Sequence, residues 1–435
     1  MDFQGVRVHS AIIGTSDRSR DLRAGVLLVV LVGSIFLATA STTVAQNNDT
    51  RAAAMGAWSL GTRGTVVLPS QWPTEGVSWP VEQDDGTVRV NRFPGVLYWG
   101  APFYTVAYLV QGKPDPPSHP YLLDFRPAAV AAVTATAFGV LLSYLVFLKL
   151  VDRRIAFGAA LFLALGTSTW SISGNALWTH GLTHLFLAMG LLLLASERPI
   201  AAGASFGFSV FVRPQTAMVA LVMGVSRGIT NRSIVDVLRV GVPTAVGMAA
   251  VALYSWTNFG TILPTSGYSS AAVDKLGDPT RWQLMTDIWG TLFDPWRGLV
   301  LHAPFLLVLV PGLGSAWRVA PPWVRSAALA GVAYQLFQLQ LNGFDGGFFF
   351  FSYRLPLEML VMASPLLLLS FTQTVIGSRV KEIAFVVLAS IAVGLQFLGV
   401  TGLSVDKRVV PVLDPLVAEV CDDPDIYCSP TQLLP

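Results

Sequence analysis

Long apolar segments recur along the chain, and they constrain its fold more than any other feature. A run of about 20 mostly apolar residues is long enough to cross a membrane as a helix. Candidate segments cover residues 24–44, 127–150, 155–172, 181–195, 200–225, 237–256, 298–313, 324–341, 355–372 and 383–403. Only 12% of the residues are charged, against roughly 25% in an ordinary soluble protein. The sequence therefore predicts an all-α polytopic membrane protein, a bundle of about ten to eleven transmembrane helices. The formal net charge of +2 gives no reason to expect nucleic acid as a partner.

The N-terminal apolar segment has two interpretations. Residues 1–23 are polar and basic, and residues 24–44 are apolar, with Ala38-Thr39-Ala40 near their end. This arrangement is typical both of a first transmembrane helix and of a cleaved secretory signal peptide. The stretch is longer than the apolar core of about 7–15 residues usual in a signal peptide, which favours a retained helix after a cytoplasmic segment. Either interpretation puts the chain from Asn47 onward outside the cytoplasm.

Basic linkers alternate along the chain with longer acidic or aromatic ones. The basic residues are Lys149, Arg153, Arg154, Arg198, Arg227, Arg232, Arg318, Arg325, Arg379 and Lys381. Because Lys and Arg concentrate in cytoplasmic loops, these linkers are predicted to be cytoplasmic. A transmembrane domain over residues 24–403 then has a long extracytoplasmic first loop, 47–125, and an extracytoplasmic tail, 404–435. The aromatic segment 95–110, which Pro102 is expected to break, should lie in the membrane interface.

The positions of the cysteines and histidines limit which disulfides and metal sites the chain can form. Cys421 and Cys428 both lie in the tail, and an oxidising compartment permits them to form the predicted disulfide. His180 and His184 have the i, i+4 spacing that can place two metal ligands on one helix face, but no third ligand is near them in the sequence. A hydrogen-bonded pair of packed histidines is the preferred interpretation. No cofactor is predicted, and nothing in the sequence supports a divalent metal.

Asp49 follows the first apolar segment, at the predicted membrane surface. A carboxylate there can act as a general base that takes a proton from an acceptor hydroxyl close to a lipid-borne substrate. The alternative is a helix N-cap for residues 52–60, since Asp caps helices well. Residue type and position alone favour the cap, although the two roles are compatible.

Four arginines lie beside apolar segments on or toward the predicted outer side: Arg92, Arg213, Arg297 and Arg354. A guanidinium can hold a phosphate through two parallel hydrogen bonds. The alternative for each is a side chain that extends to the lipid head groups. Arg213 is harder to explain in this way, because Arg213-Pro214 interrupts the apolar segment 200–225, whose flanks are both basic. This pattern predicts two half-helices that meet at mid-depth, or two short spans.

Several short motifs, in order along the chain, resemble the C superfamily of glycosyltransferases, the polytopic enzymes that use polyprenyl-phosphate sugars. They are NDTR (48–51), SLGTRG (59–64), RFPG (92–95), APFY (101–104), NALWTHG (175–181), FVRP (211–214), LFDPWRGL (292–299) and SYRLP (352–356). The resemblance is closest to the protein mannosyltransferase-like and aminoarabinose transferase-like branch. It implies a GT-C-like bundle in the plasma membrane, with an extracytoplasmic active site beneath the first loop.

The resemblance also implies roles for individual residues. Asp49 matches the catalytic carboxylate, and Arg297 and Arg354 are the expected cations near the donor phosphate. The implied substrate-binding residues are Arg51, Arg92, His180, Arg213, Arg297 and Arg354. Many members have two adjacent acidic residues in the first loop, whereas Asn48 and Thr50 flank Asp49, which favours a base that works without metal. The expected function is inverting transfer of a hexosyl or pentosyl group from a polyprenyl-phosphate donor to a hydroxyl of a glycan, lipid or protein acceptor.

A transporter or flippase for a lipid or small solute is the main alternative. Arg213 at a broken helix is a feature typical of carriers. The sequence has no inverted repeat and its loops are very asymmetric, which favours the transferase. A non-catalytic protein of the same fold is a third interpretation that the residues leave open.

Overall fold

Helices dominate the described part of the chain. The computed structural model describes residues 15–42, 48–72, 80–117, 120–263, 281–344 and 350–401. The helices are α1 (Thr15–Thr39), α2 (Asn48–Arg63), α3 (Pro94–Val110), α4 (Arg126–Phe147), α5 (Arg153–Leu165), α6 (Thr179–Ala195), α7 (Pro199–Val212), α8 (Ala217–Asn231), α9 (Ile234–Phe259), α10 (Arg281–Phe293), α11 (Leu299–His302), α12 (Leu306–Leu309), α13 (Leu313–Val319), α14 (Pro322–Asn342), α15 (Leu357–Ser370) and α16 (Arg379–Thr401). Strands β1 (Pro80–Glu82) and β2 (Val88–Val90) pair antiparallel between α2 and α3. The tail 404–435 and the predicted Cys421–Cys428 disulfide lie outside the described residues.

Several of these helices have the length and composition of membrane spans. Within the described ranges, 5 helices are long and apolar enough to cross a membrane, namely α1, α4, α9, α15 with the turn after it, and α16. Large apolar side chains on their outer surfaces are exposed, such as Val246 and Ile383, as a lipid-facing surface requires. The protein is a multi-pass membrane protein, while the total of about ten to eleven crossings stays a prediction.

The predicted span 298–313 is not one helix. It is divided among α11, α12, a 3₁₀ turn at Val310–Gly312 and the start of α13. Pro304 and Pro311 explain the division, because proline has no N–H to donate and clashes with the preceding turn. The predicted span 155–172 is also shorter than expected, since α5 ends at Leu165 and a π-helical turn follows at Thr169–Ser173.

Helix α1 is an integral part of the bundle. Leu28, Val32 and Phe36 are fully buried in the largest hydrophobic core cluster, which also contains residues of α4 and α5. At one end of α1, the Asp21 carboxylate accepts from Arg153 Nε at 2.6 Å. At the other end, Trp170 Nε1 donates to Thr39 Oγ1 at 3.0 Å. Thr39 belongs to the Ala38-Thr39-Ala40 sequence that resembles a signal-peptidase site.

We therefore expect the mature protein to retain residues 24–44. Cleavage after Ala40 would remove α1, strip apolar cover from α4 and α5 and remove the Asp21 carboxylate that bonds Arg153, which favours the retained helix over a cleaved signal peptide. Intact mass and N-terminal sequencing of protein purified from its own membranes measure this directly. A mature chain that begins after Ala40 would contradict the expectation.

The interruption at Arg213-Pro214 is a turn between two short helices. Gly203 of α7 faces Val240, and Gly207 one turn later faces Pro243, so α7 runs parallel to α9. Helices α8 and α9 are joined only by residues 232–233, which makes them antiparallel. Helices α7 and α8 are therefore antiparallel to each other, as expected for a segment whose two flanks are both basic, and the choice between half-helices that meet at mid-depth and two short spans stays a prediction.

Backbone contact between α7 and α9 depends on glycine. A Cβ atom at Gly207 would lie 2.8 Å from the carbonyl oxygen of Pro243, and one at Gly247 would collide with the carbonyl of Gly207. Small residues at helix interfaces let helices in membranes pack at short distance. This glycine seam, formed by Gly203, Gly207 and Gly247, fixes α7 and hence the position of Arg213 at its end.

The described part of the first loop folds over one end of the bundle. We call α2, β1, β2 and α3 the cap. Arg89 of β2 donates to the backbone oxygen of Asn258 at 2.7 Å, which ties the cap to the end of α9. Helix α3 runs through Pro102 without a break, contrary to the prediction. The helix lacks only the hydrogen bond that an N–H at residue 102 would donate to the Tyr98 carbonyl.

Candidate active site

Asp49 lies in the first turn of α2, at the inner side of the cap. Its Oδ1 accepts from Arg92 Nη1 at 3.1 Å, and its Oδ2 accepts from Arg354 Nη1 at 2.7 Å. Among the described residues, its carboxylate oxygens accept only from these guanidinium groups and not from a backbone N–H. The prediction that Asp49 serves mainly as a helix cap is therefore wrong.

Three distant parts of the chain bring this cluster together. Arg92 precedes α3 and Arg354 precedes α15, and they are 43 and 305 residues from Asp49 in the sequence. Both arginine side chains are largely buried, at 8% and 13% exposure, and Asp49 is 17% exposed. Ion pairs with this little exposure are screened weakly by solvent and salt, so the two arginines control the charge state of Asp49.

The electrostatic environment keeps Asp49 ionised. Burial raises the pKa of the Asp49 carboxyl, but the positive charges of Arg92 and Arg354 lower it by more, so that the pKa lies below its ordinary value. A carboxylate held in this way is negatively charged at neutral pH and is a weaker base than a free aspartate.

Aromatic rings hold two of the arginines near each other. The guanidinium carbon of Arg354 lies 4.8 Å from the ring centroid of Trp178 and 5.0 Å from that of Phe350. The guanidinium carbon of Arg297 is also 5.0 Å from the Phe350 ring. Asp294 fixes the turn before Arg297, because its Oδ1 accepts from the Arg297 backbone N–H at 2.8 Å. The two predicted phosphate ligands therefore share one aromatic neighbour.

A second ionic cluster lies in the interior. Glu358, in the first turn of α15, is 1% exposed, and its Oε1 lies 2.7 Å from His180 Nδ1 and 3.5 Å from Arg213 Nη1. The same Arg213 nitrogen is 3.0 Å from His180 Nε2 and 3.4 Å from Thr179 Oγ1. Arg213 is thus paired with a carboxylate other than Asp49.

The remaining predicted site residues have other surroundings. His184 Nε2 is 2.9 Å from Ser143 Oγ, while His180 faces Glu358, so the expected His180–His184 pair is wrong. Arg51 is buried within α2, at 3% exposure. A divalent cation does not fit the arrangement at Asp49, because both carboxylate oxygens already accept from guanidinium groups, and the described residues hold no group of three or more potential ligands.

Solved structures with a similar fold provide the comparison. The Archaeoglobus fulgidus oligosaccharyltransferase in the apo form matches with a TM-score of 0.50 and 12% identity, over 93% of this chain and 58% of that chain. The chain therefore shares its fold with this oligosaccharyltransferase. AglB from A. fulgidus, in complex with an inhibitory peptide and a dolichol-phosphate, matches with a TM-score of 0.49 and 11% identity, over 92% and 58% of the two chains. ArnT from Cupriavidus metallidurans, bound to undecaprenyl phosphate, matches with a TM-score of 0.49 and 13% identity, over 95% and 83%.

The chain spans 58% of the length of the archaeal enzyme. No protein-family model and no curated protein matches its sequence. The comparison therefore rests on the fold.

Glu358 is the site residue that the sequence analysis missed. It is the only acidic residue in the apolar segment 355–372. An ionisable residue inside a membrane segment is a functional candidate by default, and that signal was sufficient to find it.

Proposed function

We propose that this protein is a polytopic membrane glycosyltransferase, which moves a hexosyl or pentosyl group from a polyprenyl-phosphate donor to an acceptor hydroxyl at the extracytoplasmic face of the plasma membrane. The observation that carries the proposal is the Asp49 carboxylate bonded to Arg92 and Arg354, with Arg297 beside them. This cluster has more positive than negative charge, as a phosphate site requires. The fold shared with an oligosaccharyltransferase and the motifs of the polyprenyl-phosphate-dependent superfamily support the donor class.

The proposed reaction is a single displacement. Asp49 takes the proton from the acceptor hydroxyl, whose oxygen attacks the anomeric carbon of the sugar. The bond between that carbon and the phosphate oxygen breaks, and polyprenyl phosphate leaves with the electron pair. One displacement inverts the anomeric configuration. Because a phosphate beside arginine is a good leaving group, the site needs no second carboxylic acid of the kind that protonates the leaving oxygen in glycoside hydrolysis.

Donor binding and base strength are coupled in this proposal. The arginines that lower the pKa of Asp49 are the groups that a donor phosphate would engage through charge-assisted hydrogen bonds. A donor phosphate that binds here competes with Asp49 for Arg354 and places negative charge beside Asp49. Both effects raise the basicity of Asp49, so the base becomes stronger only when the donor is bound.

The coupling predicts a specific pH dependence. In the free protein the pKa of Asp49 is below its ordinary value, so the acid limb of kcat/KM should lie at a pH lower than that of an ordinary aspartate. In the donor complex the pKa is higher, so the acid limb of kcat should lie at a higher pH than that of kcat/KM. Initial rates across pH measure both limbs, and the opposite order would contradict the coupling.

Arginine substitutions test the phosphate site. Arg297→Ala and Arg354→Ala should weaken donor binding far more than the corresponding changes to Lys, because lysine keeps the charge and loses only the planar pair of donors. Binding of a polyprenyl-phosphate sugar to purified protein measures this. Arg126→Ala is a matched control, since Arg126 is an arginine paired with Asp124 at 70% side-chain exposure. Wild-type donor affinity in both alanine variants would mean that the phosphate binds elsewhere.

The buried Arg213–Glu358 cluster is the one observation that favours a carrier, since paired charges inside a membrane protein often mark a transport path. Mass spectrometry of lipid that copurifies with the protein separates the two functions. A polyprenyl-phosphate sugar or polyprenyl phosphate supports the transferase. A bound solute without a polyprenyl carrier would overturn it in favour of transport.

A further inference from the structure

The chain bends sharply at Ser352, two residues before Arg354. Ser352 has a φ of +68°, in the left-handed region that residues other than glycine rarely adopt. Its side chain is buried, at 1% exposure. A residue keeps such a conformation only where its surroundings hold it there, so the contacts of Ser352 determine the path of the chain into Arg354.

Side-chain hydrogen bonds from two other elements hold Ser352. Its Oγ lies 3.0 Å from Ser168 Oγ and accepts from Gln396 Nε2 at 3.3 Å. The other end of the same amide is also bonded, because Ser171 Oγ donates to Gln396 Oε1 at 2.6 Å. Gln396 thus links the irregular segment between α5 and α6 to the bend before Arg354.

The residue between the bend and the arginine is anchored to the same segment. The backbone N–H of Ser168 donates to the Tyr353 hydroxyl at 3.4 Å, and Tyr353 is 1% exposed. Arg354 follows directly, with its guanidinium on Asp49 at 2.7 Å. The chain on both sides of the Ser352–Tyr353 bond is therefore fixed by buried contacts, and the direction of Arg354 depends on them.

Gln396 is unusual for its location. It is 0% exposed in the apolar helix α16, a candidate membrane span. An amide in such a helix is costly unless both of its ends form hydrogen bonds, and a leucine would fill the same space without that cost. Two bonds to Ser352 and Ser171 explain why an amide is present at this position.

We infer that Gln396 and Ser352 are positioning residues that hold the left-handed bend before Arg354, and so direct its guanidinium toward Asp49 and the donor phosphate. The inference rests on the proposed function, since Arg354 is the proposed phosphate ligand. Neither Gln396 nor Ser352 touches the donor in this account. They act through the backbone conformation at residue 352.

The test measures binding of undecaprenyl phosphate to full-length protein in lipid nanodiscs. Gln396→Leu should weaken binding by between about 10-fold and 100-fold, the range expected for a misplaced site group. Ser352→Val should weaken it at least as much, because a β-branched residue disfavours positive φ. Ser352→Gly should bind within about twofold of wild type, since glycine adopts positive φ without a steric cost.

Combining the substitutions separates positioning from packing. In the Ser352→Gly background the bend no longer needs the amide, so Gln396→Leu should have little further effect on binding. Gln335→Leu is a matched control, because Gln335 is a buried glutamine with no hydrogen-bond partner among the described residues, and it should bind like wild type. If Gln396→Leu weakens undecaprenyl phosphate binding in the Ser352→Gly background as much as it does in the wild type, the inference is overturned.

A donor-free measurement distinguishes failure of the inference from failure of the proposed function. Thermal unfolding of Gln396→Leu, Arg354→Gln and the double variant should give a combined shift smaller than the sum, because Arg354 loses its contact with Asp49 once it is misdirected. Additive shifts would overturn the inference, whatever the protein binds. Absence of undecaprenyl phosphate binding by the wild type, together with non-additive shifts, would overturn the proposed function alone.

Discussion

Replacement of Asp49 by Asn is expected to lower the transfer rate by about 10²–10⁴-fold, the usual loss on removal of a general base. Asparagine keeps the shape of the side chain but cannot accept the proton of the acceptor hydroxyl. Both arginines should remain in place to bind the phosphate. The rate is measured as sugar transfer to acceptors in isolated membranes, or as donor hydrolysis, and size-exclusion chromatography in detergent checks that the variant is folded.

Asp85→Asn is the matched control for this experiment. Asp85 is also a carboxylate of the first loop and also pairs with an arginine, Arg89 at 3.0 Å, but it is 52% exposed and lies on the outside of the cap. We expect it to transfer at the wild-type rate. A fully active Asp49→Asn protein would remove the proposed mechanism, and with it the main chemical reason to regard the chain as a transferase.

Replacement of Glu358 by Gln is expected to lower the free energy of unfolding by about 3–5 kcal/mol, the cost of removing one partner from a buried ion pair. The Arg213 guanidinium would keep its charge in the interior and lose the Glu358 carboxylate 3.5 Å away. Thermal unfolding of the purified protein in detergent measures the loss. Glu197→Gln should change stability by less than about 1 kcal/mol, because the Glu197–Arg227 pair is largely exposed on the carboxylate side, at 74%.

The second half of this experiment removes the opposite charge. Arg213→Gln combined with Glu358→Gln leaves no uncompensated charge, so the double variant should recover much of the stability lost in Glu358→Gln alone. A double variant less stable than either single variant would show that the pair does not act as a unit. Wild-type stability of Glu358→Gln would contradict the buried contact itself.

The sequence predicts the helices better than it predicts their interruptions. Helices α6, α14 and α16 follow from continuous apolar segments, because a span must satisfy its own backbone hydrogen bonds in lipid. The predicted spans 298–313 and 155–172 are not continuous helices. In both segments the residues stay apolar although the backbone changes direction. Hydropathy measures transfer from water and carries no information on such bends. In the segment 298–313 the sequence signal for the interruptions is the pair Pro304 and Pro311.

The members of the candidate site were found individually, and their pairing was not. Asp49, Arg92 and Arg354 each follow from residue type and position beside apolar segments. Their contacts depend on packing between elements separated by 43 and 305 residues. Packing between such distant elements cannot be predicted from a single sequence. For Arg213 the sequence analysis did not identify the partner, because Glu358 lies in an apolar segment far along the chain. The roles of these residues in substrate binding stay predictions.

The glycine seam between α7 and α9 has a consequence for genetics. At Gly207 and Gly247 the two backbones meet, so even alanine has no room there. In a saturation mutagenesis screen scored by growth, these positions should tolerate as few substitutions as Asp49, although they take no part in the chemistry. A second screen that scores protein abundance in the membrane would tell the two classes apart, because seam variants would be degraded while Asp49 variants accumulate.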